Sequence, residues 1–172
     1  DRRIGDMFVA GVVLEGSKSN ATDYTTGFST TPASYTIARE IDYAGALRAR
    51  LGISPGDGRG LLYATGGVTY GRIDHEFTTT NTANSFTPVN GDEWLWGAQY
   101  GAGAEIYLTD SISLNVEYLR THFEKDDYYV VVGTGSAPAT NPFLLDSGET
   151  NLRSTGRQLE VNSFRAGLNF RF

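Results

Sequence analysis

The last nine residues of the chain, 164–172, alternate without interruption between apolar and polar side chains. Successive side chains of an extended strand point to opposite faces, so this segment has one apolar face and one polar face. The apolar face carries Phe164, Ala166, Leu168, Phe170 and Phe172, and the polar face carries Arg165, Gly167, Asn169 and Arg171. Such a strand separates two media, and its apolar side meets either lipid or a protein core.

The composition favours a single all-β domain over residues 1–172, because 21 Gly, 10 Tyr and 9 Phe stand against one Met. The chain has no Cys, which excludes a disulfide framework and a thiolate metal site. A net charge of -6 argues against a nucleic-acid partner. No apolar run approaches the roughly 18 residues that a membrane helix needs. If the chain enters a membrane, we therefore expect it to do so as strands.

Six strands are predicted from the alternation of apolar and polar residues. They cover residues 7–15, 41–53, 61–73, 93–108, 112–121 and 164–172. In the second strand, Ile41, Tyr43, Leu47 and Leu51 share one face, and Asp42, Arg48 and Arg50 share the other. The same separation recurs in the other five strands.

The connections between these strands alternate in length. Residues 54–60 and 109–111 form short turns, whereas 17–36, 74–92 and 124–156 are long and rich in Thr, Ser, Asn and Gly. Short turns at one end and long loops at the other are typical of an antiparallel up-and-down transmembrane β-barrel in a bacterial outer membrane. We expect the long loops to be extracellular, and the short turns and the C-terminus to be periplasmic.

Aromatic residues on the apolar face are expected at two levels, as in the girdles of a membrane barrel. The predicted girdles contain Tyr43, Tyr70, Trp94, Trp96 and Tyr118 towards the long loops, and Phe170 and Phe172 towards the short turns. Aliphatic residues and glycine lie between them. This arrangement predicts lipid outside, including lipopolysaccharide in the outer leaflet.

The opposite face is then the barrel interior. Its charged residues are four acids and four bases: Glu15, Asp42, Arg48, Arg50, Glu105, Glu117, Arg165 and Arg171. The lumen of a barrel of about eight strands is only wide enough for side chains to fill it. We expect these groups to form ion pairs that plug the lumen. The alternative is a narrow anion-conducting path lined by Arg48, Arg50 and Arg165.

Several segments resemble the small, porin-like outer-membrane β-barrel proteins of alphaproteobacteria, which are similar to the transmembrane part of OmpA. The resemblance rests on residues 47–52, 61–71, 101–105, 117–119 and the ending 164–172. It implies an eight-stranded barrel, without catalytic residues in most members. It also implies that Phe170 and Phe172 act as the signal for the barrel-insertion machinery. Since six strands are visible, we expect the first hairpin of the family to be missing before residue 1, or another chain to supply those strands.

Enzymatic activity is not expected. The two histidines, His75 and His122, lie near strand ends with no serine beside them, and we interpret both as exposed polar residues. The acidic segment 124–127 is interpreted as solvated, and no metal or cofactor is expected. Residues 143–145 predict either a patch for a partner, such as another outer-membrane protein, or a segment folded over the barrel mouth. A soluble lipocalin-like barrel with the apolar face inside remains the rival architecture.

Overall fold

The structure is a computed structural model that describes residues 1–30, 32–55, 59–145, 150–156 and 158–170. Its described part is mostly antiparallel β-strand. The strands are β1 (Arg2–Ile4), β2 (Phe8–Ser29), β3 (Ala33–Ile53), β4 (Gly60–Thr79), β5 (Ser85–Val89), β6 (Asp92–Tyr107), β7 (Ile112–Lys125), β8 (Tyr129–Gly133), β9 (Thr150–Leu152) and β10 (Gln158–Phe170). One 3-10 turn covers Pro142–Leu144.

Two sheets contain these strands. The large sheet has the order β1-β2-β3-β4-β6-β7-β10, so each long strand pairs with its neighbour along the chain, and the small sheet has the order β5-β8-β9. The six long strands are the six that the sequence predicts. The all-β, up-and-down arrangement is therefore confirmed.

The strands extend further than expected at the end of the long connections. β2 contains 22 residues and so spans about 70 Å, which exceeds the roughly 25 Å of a barrel's apolar band even when the strand is tilted. The expected loops are therefore wrong in part: most of 17–36 and much of 74–92 is strand, whereas the strand in the described part of 124–156 is only the end of β7 and the short strands β8 and β9. Thr and Tyr favour extended backbone, so polarity on both faces did not prevent strand pairing here.

Aliphatic side chains cover the outside of the large sheet. Leu14, Leu47 and Val68 face each other across β2, β3 and β4 and are all exposed. Leu51 is 66% exposed and Leu168 58%, whereas Arg48 is 3% exposed. The apolar face is thus the outer surface, and the soluble barrel with an apolar interior is wrong.

Two adjacent β-bulges change the phase of β3. Asp42 and Tyr43 together oppose Arg72 of β4, while two residues of β2, Ser19 and Asn20, oppose Asp42. The extra residue turns Ile41 inward, where it is 5% exposed, although alternation places it on the outer face with Tyr43. The prediction for Ile41 is therefore corrected.

Inward-facing residues of β4 define successive levels of the interior. From the short-turn end they include Tyr63, Ile73, His75 and Phe77. Tyr63 packs with Val9 and Leu61, and Ile73 packs with Ile41, Phe123 and Leu159. We use "outer side" for the direction of the long connections, and "outer surface" or "outer face" for the face of the sheet that points away from the interior. Among the described residues, no helix is long and apolar enough to cross a bilayer, a finding that does not bear on crossing by strands.

Candidate functional site: the lumen and its outer cap

An ion-pair network crosses the interior near the short-turn end. The Arg48 guanidinium of β3 donates to Glu15 of β2 at 2.8 Å and to Glu117 of β7 at 3.0 Å. Arg165 of β10 donates to the same Glu15 carboxylate. Because β4 and β6 separate β3 from β7 in the sheet, the Arg48–Glu117 bond bridges the lumen rather than neighbouring strands.

A second set of contacts surrounds Arg50. Its guanidinium donates to Glu105 at 2.5 Å, lies 3.2 Å from the Asp1 carboxylate and stacks 3.6 Å from the centre of the Tyr63 ring. Ser113 also donates to Glu105, at 2.5 Å. The contacts of Arg50 with Asp1 and Tyr63 were not expected, because nothing in the sequence near Asp1 or Tyr63 indicates that either residue lies beside Arg50.

Six of the eight residues predicted for the network are brought together in this way. Asp42 is not among them: it lies in the bulge and takes part in no ion pair within the described part of the chain. Arg171 lies outside the described residues. A cavity of about 620 Å³, lined by both sets of ion pairs, opens towards the short-turn end.

An apolar layer lies further out than the ion pairs, beyond a level of buried polar side chains that includes Thr69, Gln99 and Thr121. It consists of Ile41, Ile73, Phe123 and Leu159, with Ala44, Leu95 and Val161 packed against it. These side chains come from β3, β4, β6, β7 and β10, so they meet across the interior. We refer to Ile41, Ile73, Phe123 and Leu159 as the apolar layer.

A polar cluster, buried except for Asp23, follows the apolar layer on its outer side. Arg39 donates to Asp23, to Asp126 at 3.3 Å and to the Gly156 carbonyl oxygen at 2.5 Å. His75 faces Asp126 and stacks on Tyr128, with ring centres 4.5 Å apart. We call Asp23, Arg39, His75, Asp126 and Tyr128 the outer cluster.

The outer cluster corrects two sequence interpretations. The His75 side chain is 0% exposed, and Asp126 is 4% exposed rather than solvated. Burial alone raises the pKa of Asp126, but hydrogen bonds and charges from His75 and Arg39 outweigh it and lower that pKa. Burial also raises the pKa of Tyr128 to about 12.

The small sheet covers the outer cluster and forms a cap. Val130 and Tyr128 pack on Ile37 of β3, and Phe77, Phe86 and Leu152 contact the same group. Phe143 packs edge-on against Tyr35 at 5.7 Å, which agrees with a segment folded back over the mouth. Leu145 remains exposed.

Aromatic side chains lie on the outer surface at the positions predicted for the girdles. Tyr70 packs against Trp94 at 5.1 Å and Trp96 at 4.7 Å between ring centres. Tyr43 and Tyr118 are also exposed, and Phe170 is exposed near the other end of the barrel. Phe172 lies outside the described residues.

His122 lies on the outer surface, on the outer side of Tyr118 along β7. It contacts the Tyr100 hydroxyl at 3.1 Å through Nε2 and the Glu160 carboxylate at 3.0 Å through Nδ1. Arg120 donates to the same carboxylate at 2.7 Å. No metal-binding group of three or more His, Cys, Asp or Glu occurs among the residues described.

Comparison with known proteins gives one family and two similar relatives. The family described as "Outer membrane protein beta-barrel domain" matches residues 3–172. The relatives are 31 kDa outer-membrane immunogenic proteins of Brucella melitensis biotype 1 and Brucella suis biovar 1, each 28% identical over 133 residues.

The match to each relative covers 77% of this chain and 47% of the relative, so the chain spans about half the length of the curated relatives it matches. No solved structure matches. The family match, the antiparallel sheet and the aliphatic outer surface agree with one another. The chain belongs to the outer membrane protein β-barrel domain family, and its place is the bacterial outer membrane.

Proposed function

We propose that this barrel is closed to solute flow and that its role is structural or one of surface interaction, carried out by the cap. The apolar layer carries this proposal. Water and ions pass poorly through a hydrophobic constriction. Here Ile41, Ile73 and Phe123 face the interior, with the polar side chains of Ser17 and Ser19 of β2 close to Ile41 and Phe123. The layer lies between the cavity at the short-turn end and the cap at the other.

The ion-pair network supports the same view. An anion path needs arginines that can accept a passing anion, yet Arg48, Arg50 and Arg165 each already bind a carboxylate. An entering anion would have to displace Glu15, Glu105 or Glu117 in a confined space, and that exchange is costly. The network therefore favours a plug over a conducting path.

The proposed orientation places the cap outside the cell, and the short turns and C-terminus in the periplasm. Tyr70, Trp94 and Trp96 would then meet the headgroups of the outer leaflet, including lipopolysaccharide. Phe170, which is exposed near the end of β10, would be read by the barrel-insertion machinery together with Phe172. The cap would present its surface to other outer-membrane proteins or to the environment, in keeping with the word "immunogenic" in the relatives' names.

We propose that the protein has no catalytic activity. On the outer surface, side-chain contacts connect the Tyr100 hydroxyl, the His122 imidazole and the Glu160 carboxylate. A protonated phenol is a weak nucleophile, and the contact of the Tyr100 hydroxyl with His122 supports a structural role between β6, β7 and β10 instead. Incubation with lipid A should leave every acyl chain in place when the lipid is examined by mass spectrometry.

Conductance in planar bilayers tests the closed barrel. The wild-type protein should give no steady steps, whereas the triple variant Arg48→Met/Ile73→Ala/Phe123→Ala should conduct because it opens both the ion-pair network and the apolar layer. Leu168→Ala removes an equally apolar side chain from the lipid-facing surface and should stay silent. Steady anion-selective steps from the wild-type protein would overturn the proposal in favour of the anion path.

A further inference from the structure

The end of β2 on the outer side forms an edge of the large sheet. β3 pairs with one side of β2 from Phe8 to Ser29, whereas β1 pairs with the opposite side only at residues 8–10. Among the residues that the structure describes, none pairs with that opposite side at residues 21–28. Alternate backbone N–H and C=O groups of these residues therefore point away from the sheet. We call residues 21–28 the open edge.

The open edge lies beyond the lipid-facing surface. Lys18 opposes Tyr43 of the girdle, and Tyr24 follows Lys18 by six residues, which is about 20 Å along an extended strand. All residues of the open edge are exposed except Thr25, which is partly buried. Water therefore reaches the outward backbone groups, unlike those of a strand in hydrocarbon. A further strand that replaces this water also satisfies those groups.

The open edge lacks the features that usually protect an edge strand from pairing. Such features are charged side chains, proline and β-bulges. The bulge of β2 lies at residues 19–20, before the open edge, and the open edge contains no proline. Its one charged residue is Asp23, whose carboxylate accepts a hydrogen bond from Arg39 in the outer cluster. The open edge is therefore suited to pairing with a further strand.

Two aromatic side chains extend from the open edge on the outer face of the sheet. Tyr24 is 67% exposed and Phe28 is 81% exposed. Their partners on β3 are the small residues Ala38 and Ser34, so neither ring is covered from that side. A strand on the other side would place its own side chains about 4.5–5.5 Å from these residues. Burial of the two rings would then add to the backbone hydrogen bonds.

The inner face behind the open edge is already occupied by the cap. Ile37 opposes Thr25 and packs with Val130 of β8. The Thr25 hydroxyl oxygen lies 3.2 Å from the Ser154 hydroxyl oxygen. A partner can therefore add at the edge but not on the inner face. A row of alternating donors and acceptors at strand spacing is complementary to another extended chain, and not to a helix, whose backbone groups are paired internally.

A second copy of this chain fits the open edge less well than a separate segment does. Copies in one membrane share one orientation, so their β2 strands would meet in parallel. Parallel pairing is slightly less stable per residue than antiparallel pairing. β1, which meets the same side of β2, pairs with it in the antiparallel sense. A segment of another protein is free to adopt that direction.

We propose that the open edge binds an extended segment of another surface protein by β-strand addition. The segment runs antiparallel to β2 and places β-branched or aromatic side chains beside Tyr24 and Phe28. Backbone hydrogen bonds hold the segment, and the two rings select an uncharged, apolar face. This inference deepens the proposed surface role, and it rests on that role in placing the cap side of the barrel outside the cell.

Peptide binding to the protein in uncharged detergent micelles tests this pairing. The probe is a synthetic peptide of about eight alternating Thr and Val residues, with an uncharged polar end group for solubility. Its binding should protect amides of residues 21–28 from hydrogen exchange. N-methylation of the Thr amides and of the Val amides gives two further probes, each blocked along one edge. One of the two should bind more weakly by on the order of tenfold, and the other should bind as the unmodified probe does. Equal binding by both methylated probes, or no binding of the unmodified probe, would overturn the proposal.

Two variants of the protein distinguish the open edge from other exposed apolar sites. Tyr24→Lys/Phe28→Lys places charges at exposed positions of the edge and should weaken binding of the unmodified probe by on the order of tenfold. Leu145→Lys changes an exposed apolar side chain outside β2 and should keep the wild-type affinity. Dimerisation without peptide that the double variant abolishes would assign the edge to a second copy and overturn the proposal. These readouts do not involve conductance, so failure of strand addition and failure of the closed barrel are separate outcomes.

Discussion

Replacement of Arg48 by Met should destabilise the barrel more than any other single change in the ion-pair network. The Arg48 guanidinium makes two charge-assisted hydrogen bonds, at 2.8 Å to Glu15 and 3.0 Å to Glu117. Each such bond contributes roughly 1.5–3 kcal/mol, and removing one partner of a buried pair costs about 3–5 kcal/mol. We therefore expect the free energy of unfolding to fall by about 3–5 kcal/mol.

Most of this loss comes from Glu117, because Glu15 keeps Arg165 as a partner. The matched control is Arg165→Met. The Arg165 side chain is 37% exposed and Glu15 retains Arg48, so its loss should cost less than about 1 kcal/mol. The double variant Arg48→Met/Glu117→Gln should recover part of the Arg48→Met loss, since it removes the stranded charge.

Urea unfolding of the protein in phospholipid vesicles measures these differences. Trp94 and Trp96 lie on the outer surface and report loss of lipid contact by fluorescence. If Arg48→Met and Arg165→Met unfold at the same urea concentration, the buried bridge across the lumen does not hold the strands together as argued. No recovery in the double variant would refute the assignment of the loss to Glu117.

Three further results are expected. Leu119→Ala, at a fully buried position of β7, should cost about 2–5 kcal/mol in the same unfolding assay, whereas Leu114→Ala on the outer face of that strand should cost much less. Gly103→Ala should lower the free energy of unfolding by about 1–3 kcal/mol, because a Cβ atom there would meet the Tyr63 ring and lie 2.7 Å from the Val116 carbonyl oxygen. As the control, Gly16→Ala adds its Cβ atom to open space and should be nearly neutral by the same measurement. The pKa of Tyr128 is raised to about 12 from the ordinary 10.0, so the contribution of Tyr128 to cap stability is complete below about pH 10 and is lost as the pH rises through about 12. Ultraviolet titration combined with proteolysis of the cap should show this loss, and the Tyr128→Phe variant should not show it.

Alternation alone was enough to predict the six long strands and the direction of most of their side chains. Arg48 and Leu51 alternate as a half-buried strand requires, and each lies on the expected side. The prediction failed at Ile41 because a bulge adds one residue without interrupting the apolar pattern. Ile41 and Tyr43 are two positions apart and both apolar, so the change of face leaves no trace in the sequence.

The outer cluster was beyond sequence reasoning for a different reason. Arg39 and Asp126 are separated by 87 residues, and neither lies in a recognisable motif. Asp126 stands in a run of charged residues, which is typical of a solvated loop. Its burial depends on Tyr128 and Val130 packing on Ile37, and that contact forms only when the β7–β10 connection folds back over β3.

The pairing of β5 with β8 makes the two connections between barrel strands dependent on each other. Each supplies the hydrogen-bonding edge that the other needs, with Phe86 opposite Val132 and Thr87 opposite Val131. A deletion that shortens one connection leaves the backbone amides of the other without partners, although its own sequence is intact. Grafting a foreign peptide into this region should therefore succeed only where both segments keep their register. The exposed position Leu145, which lies outside β5 and β8, meets that condition better than either strand.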